Sequence, residues 1–296
     1  MITSSSCAKI HLIGEYSAVW GKPAILLPVN LKLTVSLTPL ASLRSGNSRR
    51  SNLKQPFQKI IEKAIEKKFG KKIPPYKLQI ESQIPIGSGL GSSAALSSAL
   101  AKALFKMLKV KPKESDIFQV ALEGEKFFHG FSSGSDLLAI LSNKPMWYRK
   151  ENDSLILTKI LSYPTPTLYL VDSGRPFENT RQMVEFVNKN TPQTKKEAFA
   201  NEQEKLTLEL FSSIKDKNYT NFARIMQKAH KNLQKLGVIS QKCAKMVQNI
   251  EKIGGSAKIS GAGGRKNGSG MLVIYHPQPK KLLSFAAKNN WQLIKI

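Results

Sequence analysis

Between residues 85 and 95 the chain reads PIGSGLGSSAA, with glycines at 87, 89 and 91 directly ahead of two serines and an Ala/Leu-rich run. Small residues there let backbone N–H groups approach an anion, and a following helix would add unsatisfied donors and the positive end of its dipole. The segment Gly87, Ser88, Gly89, Leu90, Gly91, Ser92 therefore has the makings of a phosphate cradle, and Ser93 can supply a hydroxyl to a Mg²⁺ carried by a nucleotide. It is neither a GxxxxGK[ST] loop nor a dinucleotide GxGxxG fingerprint. The competing reading is a small-residue turn before a tightly packed helix.

Phosphoryl transfer to an alcohol also needs a carboxylate that holds the metal and one that accepts the hydroxyl proton. Glu125 and Asp136, separated by KFFHGFSSGS, are the candidates. Taken singly, Glu125 could equally be a solvated helix carboxylate and Asp136 a helix cap. His129 lies between them, with no second histidine spaced to complete a metal site, and reads as a residue that orients the loop. Near the N-terminus Lys9 sits in a strand-like run, CAKIHLIG. A cation there can favour a neighbouring carboxylate's charged form or stabilise a transferring phosphoryl group, and the alternative is an edge-strand lysine that blocks aggregation.

These groups must be held by regular elements. Cys7–Gly14 and Ala24–Leu37 read as strands, the latter ending in period-two alternation, and a Ser/Arg/Asn-rich loop is expected over Ser42–Asn52. Apolar residues at 57, 60, 61, 64 and 65 predict a helix, and Tyr76–Ile84 alternates as a strand into the glycine loop. A helix follows the loop. Another runs from an N-cap at Ser115 or Asp116 to Phe128, and a polar loop at 130–135 leads to Asp136. Further on, strands are expected at Leu155–Leu161, Thr167–Asp172, Ala257–Ile259 and Met271–Tyr275, the last two flanking a second glycine-rich loop. Helices are expected at Thr180–Asn188, Lys195–Ile214, Asn221–Lys235 and Ser240–Ile253. The order predicts an α+β protein with antiparallel and mixed sheet, because strands and helices do not alternate regularly.

The 296 residues suffice for one large domain or two. No apolar stretch approaches the ~20 residues of a membrane span, no leader pattern opens the chain, and the expected compartment is cytoplasmic. Cys7 and Cys243 are far apart and read as free buried thiols, with neither a disulfide nor a zinc site indicated. The formal net charge is +26, from 46 basic and 20 acidic residues, which raises nucleic acid as a partner. The excess is spread over both halves, and aromatics are 8% with no stripe of them on a basic face, so specific nucleic-acid binding is not expected. Lys63, Lys67, Lys68, Lys71 and Lys72 are expected on a solvated helix face.

Three segments in order resemble the motifs of the GHMP kinase superfamily, which includes galactokinase and the homoserine, mevalonate and phosphomevalonate kinases. AKIHLIGEYSAVWGKPAIL is similar to the first, PIGSGLGSSAA to the second and KISGAGG (Lys258–Gly264) to the third. Within the superfamily GEKFFHGFSSGSD and VDSGRPFENTRQMVEFV are most similar to the mevalonate kinase branch. The resemblance implies a two-domain GHMP kinase fold: an N-terminal domain like the second domain of ribosomal protein S5, here 1–160, and a C-terminal α/β domain, 161–296. It also implies ATP and magnesium as cofactors. Asp136 is then the proton acceptor with Lys9 beside it, Ser93 and Glu125 the Mg²⁺ ligands, and Gly87–Ser92 the phosphate loop. Glu15, Tyr16 and Thr180 would lie toward the acceptor.

The activity implied is ATP-dependent phosphorylation of mevalonate to 5-phosphomevalonate. Phosphomevalonate kinase is the same-class alternative and a basic nucleic-acid-binding protein the different-class one. A homodimer is kept open as the assembly. Two departures from the pattern stand out: Tyr16 replaces the histidine that commonly follows the motif-one glutamate, and Arg265 and Lys266 interrupt the third glycine loop. These two cations are expected at the surface, the alternative being that they face an acceptor's phosphate.

Overall fold

The computed structural model describes residues 1–40, 56–130, 132–151 and 155–296, so the loop expected over Ser42–Asn52 lies outside the described residues. The chain forms two compact units that are interleaved in sequence. The first comprises Met1–Ala8, Asn30–Pro85 and Gly91–Asn143, and the second Lys9–Val29, Ile86–Leu90 and Lys144–Ile296. Two long strands, β1 (Ile2–Ile13) and its neighbour β2 (Ala24–Pro39), contribute residues to both units.

In the first unit the alternating half of β2 pairs antiparallel with β3 (Tyr76–Ser82), from Leu33 opposite Ser82 to Pro39 opposite Tyr76. The helices of this unit, α1 (Pro56–Phe69), α2 (Ser92–Met107), α3 (Glu114–His129) and α4 (Ser135–Ser142), pack on one another. Ile61 and Ile65 of α1 are fully buried while Lys63, Lys67 and Lys68 face solvent, with Lys71 and Lys72 exposed beyond it, as the 3.6-residue period predicts. The Tyr76 hydroxyl donates to Glu62 Oε1 at 2.6 Å and ties α1 to β3.

Small residues let α2 be surrounded. Ala94, Ala95, Ala99, Ala101 and Ala103 are wholly buried, and a β-carbon on Gly124 of α3 would come 2.4 Å from Ser97 Oγ of α2, so only glycine permits this approach. The helix begins at Gly91, whose φ of 73° is the left-handed conformation. One expectation is corrected here. The N-cap of α3 is Lys113, because Asp116 reaches back as its third residue to accept the Lys113 N–H at 2.9 Å. Asp136 lies in the first turn of α4, where Leu137, Ala139 and Ile140 give the segment a buried helical face.

In the second unit, Ala24–Leu26 of β2 pair with β4 (Met146–Glu151), and β4 pairs with β5 (Leu155–Ile160), both antiparallel. A separate antiparallel sheet runs in the order β7 (Ser256–Ile259), β8 (Met271–Tyr275), β6 (Leu168–Asp172), β9 (Ile294–Lys295). The helices of this unit are α5 (Thr180–Asn190), α6 (Gln193–Lys215), α7 (Tyr219–Lys235), α8 (Gln241–Lys252) and α9 (Pro279–Lys288). Met183, Val187, Leu233, Cys243, Val247, Ile250 and Leu282 share one core with Ala257, Ile259, Leu272 and Ile274 of the sheet. Cys243 is fully buried as expected, and burial pushes its thiol up to about 11. Cys7 is only half-buried, a correction to the expectation, because its position on β1 leaves the sulfur near the Ile140 carbonyl at 3.7 Å and not enclosed.

One core residue makes the unit acid-sensitive. His230 of α7 is 3% exposed, and its Nδ1 has no hydrogen-bond partner among the described residues. Desolvation, helped by the Lys258 charge, lowers its pKa to about 4 from 6.5. Between those values the unfolded chain takes up a proton that the folded one refuses, so stability held above pH 6.5 is lost as pH falls toward 4. Wild-type protein should lose roughly 2 kcal/mol from this group between pH 7 and pH 5. Urea unfolding at both pH values, compared with His230→Gln, checks it: equal losses in the two proteins would remove His230 as the cause.

Candidate active site

The glycine loop is divided between packing and exposure. Ser88 and Leu90 are buried, whereas Ile86 and Gly87 are open to solvent. The buried part belongs to a close-packed crossing with the third glycine motif: a β-carbon on Gly89 would lie 1.9 Å from the Ser260 carbonyl oxygen, and one on Gly270 would lie 2.7 Å from that of Ser88. Ser88 O accepts the Met271 N–H at 2.9 Å, and Leu90 O accepts that of Lys9 at 3.0 Å. Packing requires glycine at position 89, whereas Gly87, with φ of 74°, lies on the open side.

Lys9 is 2% exposed and is no edge-guarding surface lysine. Its Nζ lies 3.0 Å from His11 Nδ1 and donates to Gly89 O at 3.2 Å, so a cation is held directly on the loop. Ser260 adds a second tie, its Oγ accepting the His11 N–H at 3.0 Å.

A polar cluster in the first unit gathers at the start of α2. Ser93 Oγ is 2.9 Å from His129 Nε2, and the same nitrogen is 4.0 Å from Glu125 Oε2. Glu125 is 3% exposed and His129 about a quarter exposed. The i,i+4 spacing on α3 puts the carboxylate and imidazole on one face, and the close approach allowed by Gly124 brings that face to α2. Ser93 and Glu125 thus both lie beside the His129 imidazole, Ser93 at hydrogen-bond distance and Glu125 within 4.0 Å. Asp136 is half-buried in the first turn of α4, where a negative charge is favoured by the helix dipole. Among the described residues no three His, Cys, Asp or Glu side chains are grouped as a protein cage for a metal. A hydroxyl and a carboxylate are hard oxygen donors, however, and an ion that arrives on phosphates and keeps several waters needs few protein ligands. The residues fit Mg²⁺ on those terms.

The remaining candidates have other surroundings. Glu15 is buried and paired with Lys258, itself fully buried, whose Nζ also donates to the carbonyls of Ile259 at 2.7 Å and His11 at 3.3 Å. Burial drives the Lys258 pKa down, with Lys9 adding to the effect and Glu15 opposing it. Tyr16 has a positive φ of 61° and donates to the Ala262 carbonyl at 2.6 Å, and burial raises its pKa strongly. The first and third motifs are therefore clasped by Glu15–Lys258 and Tyr16–Ala262. Sequence reasoning did not foresee this pairing. The available signal was a lone charge, Lys258, inside the apolar run SAKI. Thr180 is the exposed first residue of α5, whose N-cap Asn179 accepts from Gln182 N at 2.9 Å. Arg265 and Lys266 are exposed, as expected: the Arg265 guanidinium lies 4.1 Å from the Phe186 ring centre, Lys266 Nζ lies 5.9 Å from that of Phe177, and both backbone N–H groups donate to Glu178.

Residues 57–144 match the family of GHMP kinases N terminal domains, and the fold of the chain is the GHMP kinase fold. Among solved structures, the chain is similar to the Methanococcus jannaschii mevalonate kinase, at 21% identity over 99% of this chain and 96% of that one, with a TM-score of 0.78. It is also similar to the Streptococcus pneumoniae phosphomevalonate kinase in complex with phosphomevalonate and AMPPNP, at 17% identity over 100% of both chains and a TM-score of 0.81. The Lactococcus lactis galactokinase complexed with galactose shares 15% identity, over 100% of this chain and 92% of that one, with a TM-score of 0.73. No curated protein sequence matches the chain. No helix among the described residues is long and apolar enough to cross a membrane.

Proposed function

We propose that the protein is an ATP- and magnesium-dependent small-molecule kinase that phosphorylates the primary hydroxyl of mevalonate, giving 5-phosphomevalonate and ADP. The observation that carries the kinase reading is the convergence of Ser93 and Glu125 on His129 at the N-terminus of α2, directly after a glycine loop that holds Lys9, within a GHMP kinase fold. The choice of mevalonate rests on the resemblance of GEKFFHGFSSGSD and on the likeness to mevalonate kinase structures.

The bound magnesium–nucleotide supplies the transferable phosphoryl group and neutralises part of its charge. Ser93 Oγ and Glu125 would hold the metal, and the exposed N–H groups around Gly87 would hold phosphate oxygens. Asp136 accepts the acceptor's hydroxyl proton as the oxygen attacks phosphorus. Lys9 supplies positive charge to the transferring group, and its bond to Gly89 O fixes the ammonium without needing the substrate to order it.

The test is a coupled ADP-release assay over a panel of alcohols that includes mevalonate, 5-phosphomevalonate, homoserine and galactose. Highest kcat/KM on mevalonate supports the reading. Preference for 5-phosphomevalonate would install the neighbouring activity, which the likeness to a phosphomevalonate kinase favours. In the same assay Ser93→Ala and Glu125→Gln should each shift the Mg²⁺ dependence to higher concentration, by about tenfold or more. If both titrate with Mg²⁺ like the parent, the metal assignment fails while the kinase assignment stands.

A further inference from the structure

Arg175 lies beside the open end of the glycine loop. It follows β6 in the segment Ser173–Glu178, and a β-carbon placed on Gly87 would come 3.8 Å from Arg175 Nε. Both residues are exposed, so the guanidinium and the free face of the loop look onto the same solvent. A second cation is adjacent, since a β-carbon on Gly174 would lie 3.2 Å from Lys242 Nζ, at the start of α8. The carboxylates of the segment are engaged with backbone: Asp172 Oδ1 accepts the Gly174 N–H at 2.8 Å, and Glu178 accepts those of Arg265 and Lys266 at 3.2 and 3.4 Å. The segment itself is anchored. Ser173 N–H donates to Gly270 O at 3.0 Å, and Ser173 Oγ donates to the same oxygen at 2.7 Å, so the base of the arginine is held while its head is left to solvent.

We propose that Arg175, supported by Lys242, binds a phosphate group at the Gly87 end of the loop. This rests on the kinase reading and adds to it a ligand outside the residues that the resemblance supplies. A guanidinium offers a planar fork of donors matched to phosphate oxygens, whereas the backbone N–H groups of a loop supply only partial charges. The Ser173 anchor fixes the backbone from which this side chain extends. The phosphate has two possible sources: the outer phosphates of the nucleotide, or a phosphate already on the acceptor. In the second case the acceptor class would be a phosphorylated alcohol.

Calorimetric titration of the full chain distinguishes these sources without relying on turnover. Arg175→Ala should weaken binding of one phosphate ligand about tenfold or more, with Arg175→Lys in between. If magnesium–AMPPNP weakens and AMP does not, the residue serves the nucleotide's outer phosphates. If 5-phosphomevalonate weakens and mevalonate does not, it serves the acceptor. Unchanged affinity for both phosphate ligands overturns the proposal. So does an equal loss in a Lys71→Ala, Lys72→Ala control, which would mean that the general positive field is responsible. If no alcohol in the panel elicits ADP release while AMPPNP binding still depends on Arg175, the kinase reading fails and the phosphate site survives.

Discussion

Asp136→Asn is expected to lower kcat by about 10²–10⁴-fold with nucleotide affinity close to that of the parent. The reasoning starts from what the substitution preserves. Asparagine keeps the size of the side chain and its place in the first turn of α4, and it retains an oxygen to orient the acceptor's hydroxyl. It cannot accept the proton. If the proton is lost as the new bond forms, the missing base costs the transition state and not the bound nucleotide, so kcat falls while the AMPPNP dissociation constant stays. Lys9→Met, which removes the cation fixed on Gly89 O, should lower kcat by a similar order. Single-turnover rates and nucleotide titrations on both variants are the measurement. Near-parental kcat in Asp136→Asn would take the residue out of the mechanism, and a nucleotide affinity that falls as far as kcat would recast it as a binding residue.

The parts of this site that were legible in the sequence are those where one residue type has few alternative uses. Three glycines and two serines between a period-two strand and an Ala/Leu helix admit few structures, and α2 begins where that composition predicts. The ends of β8 agree with the apolar run Met271–Tyr275 for the same reason. The short helix that carries Asp136 was not anticipated: SDLLAILS is too short for its period to stand out, and its buried face rests on Leu137, Ala139 and Ile140. β4 and α9 were not anticipated: MWYRKE is too short and too charged for periodicity to detect, and PKKLLSFAAK shows its N-terminal proline but only a thin apolar stripe. The division of Gly87 from Gly89 was also hidden. Both have positive φ, and what separates them is the Ser260 carbonyl, 171 residues away from Gly89, which no local reading can supply.

A still longer separation, 243 residues, hides the interaction with the largest expected effect on stability. Lys258 and Glu15 are a buried ion pair, with side-chain exposures of 0% and 2%. Replacing one partner leaves the other charge desolvated, and such losses cost about 3–5 kcal/mol. Lys258→Met should therefore destabilise the protein by roughly that amount, more than the flexible, apolar methionine itself would suggest. Glu15→Gln should cost less, because the amide oxygen still accepts from the ammonium and only the charge is lost. The double variant Lys258→Met, Glu15→Gln removes both charges together. It should recover a large part of the Lys258→Met loss, since replacing a whole buried pair is often close to neutral. Urea unfolding of the four proteins at pH 7 gives the coupling energy directly. Additive losses would mean that the ammonium is held mainly by the carbonyls of Ile259 and His11. A strong coupling would identify the pair as the fastening between the first and third glycine motifs, and Gly89, seated against Ser260 two residues beyond Lys258, would then depend on it for its position.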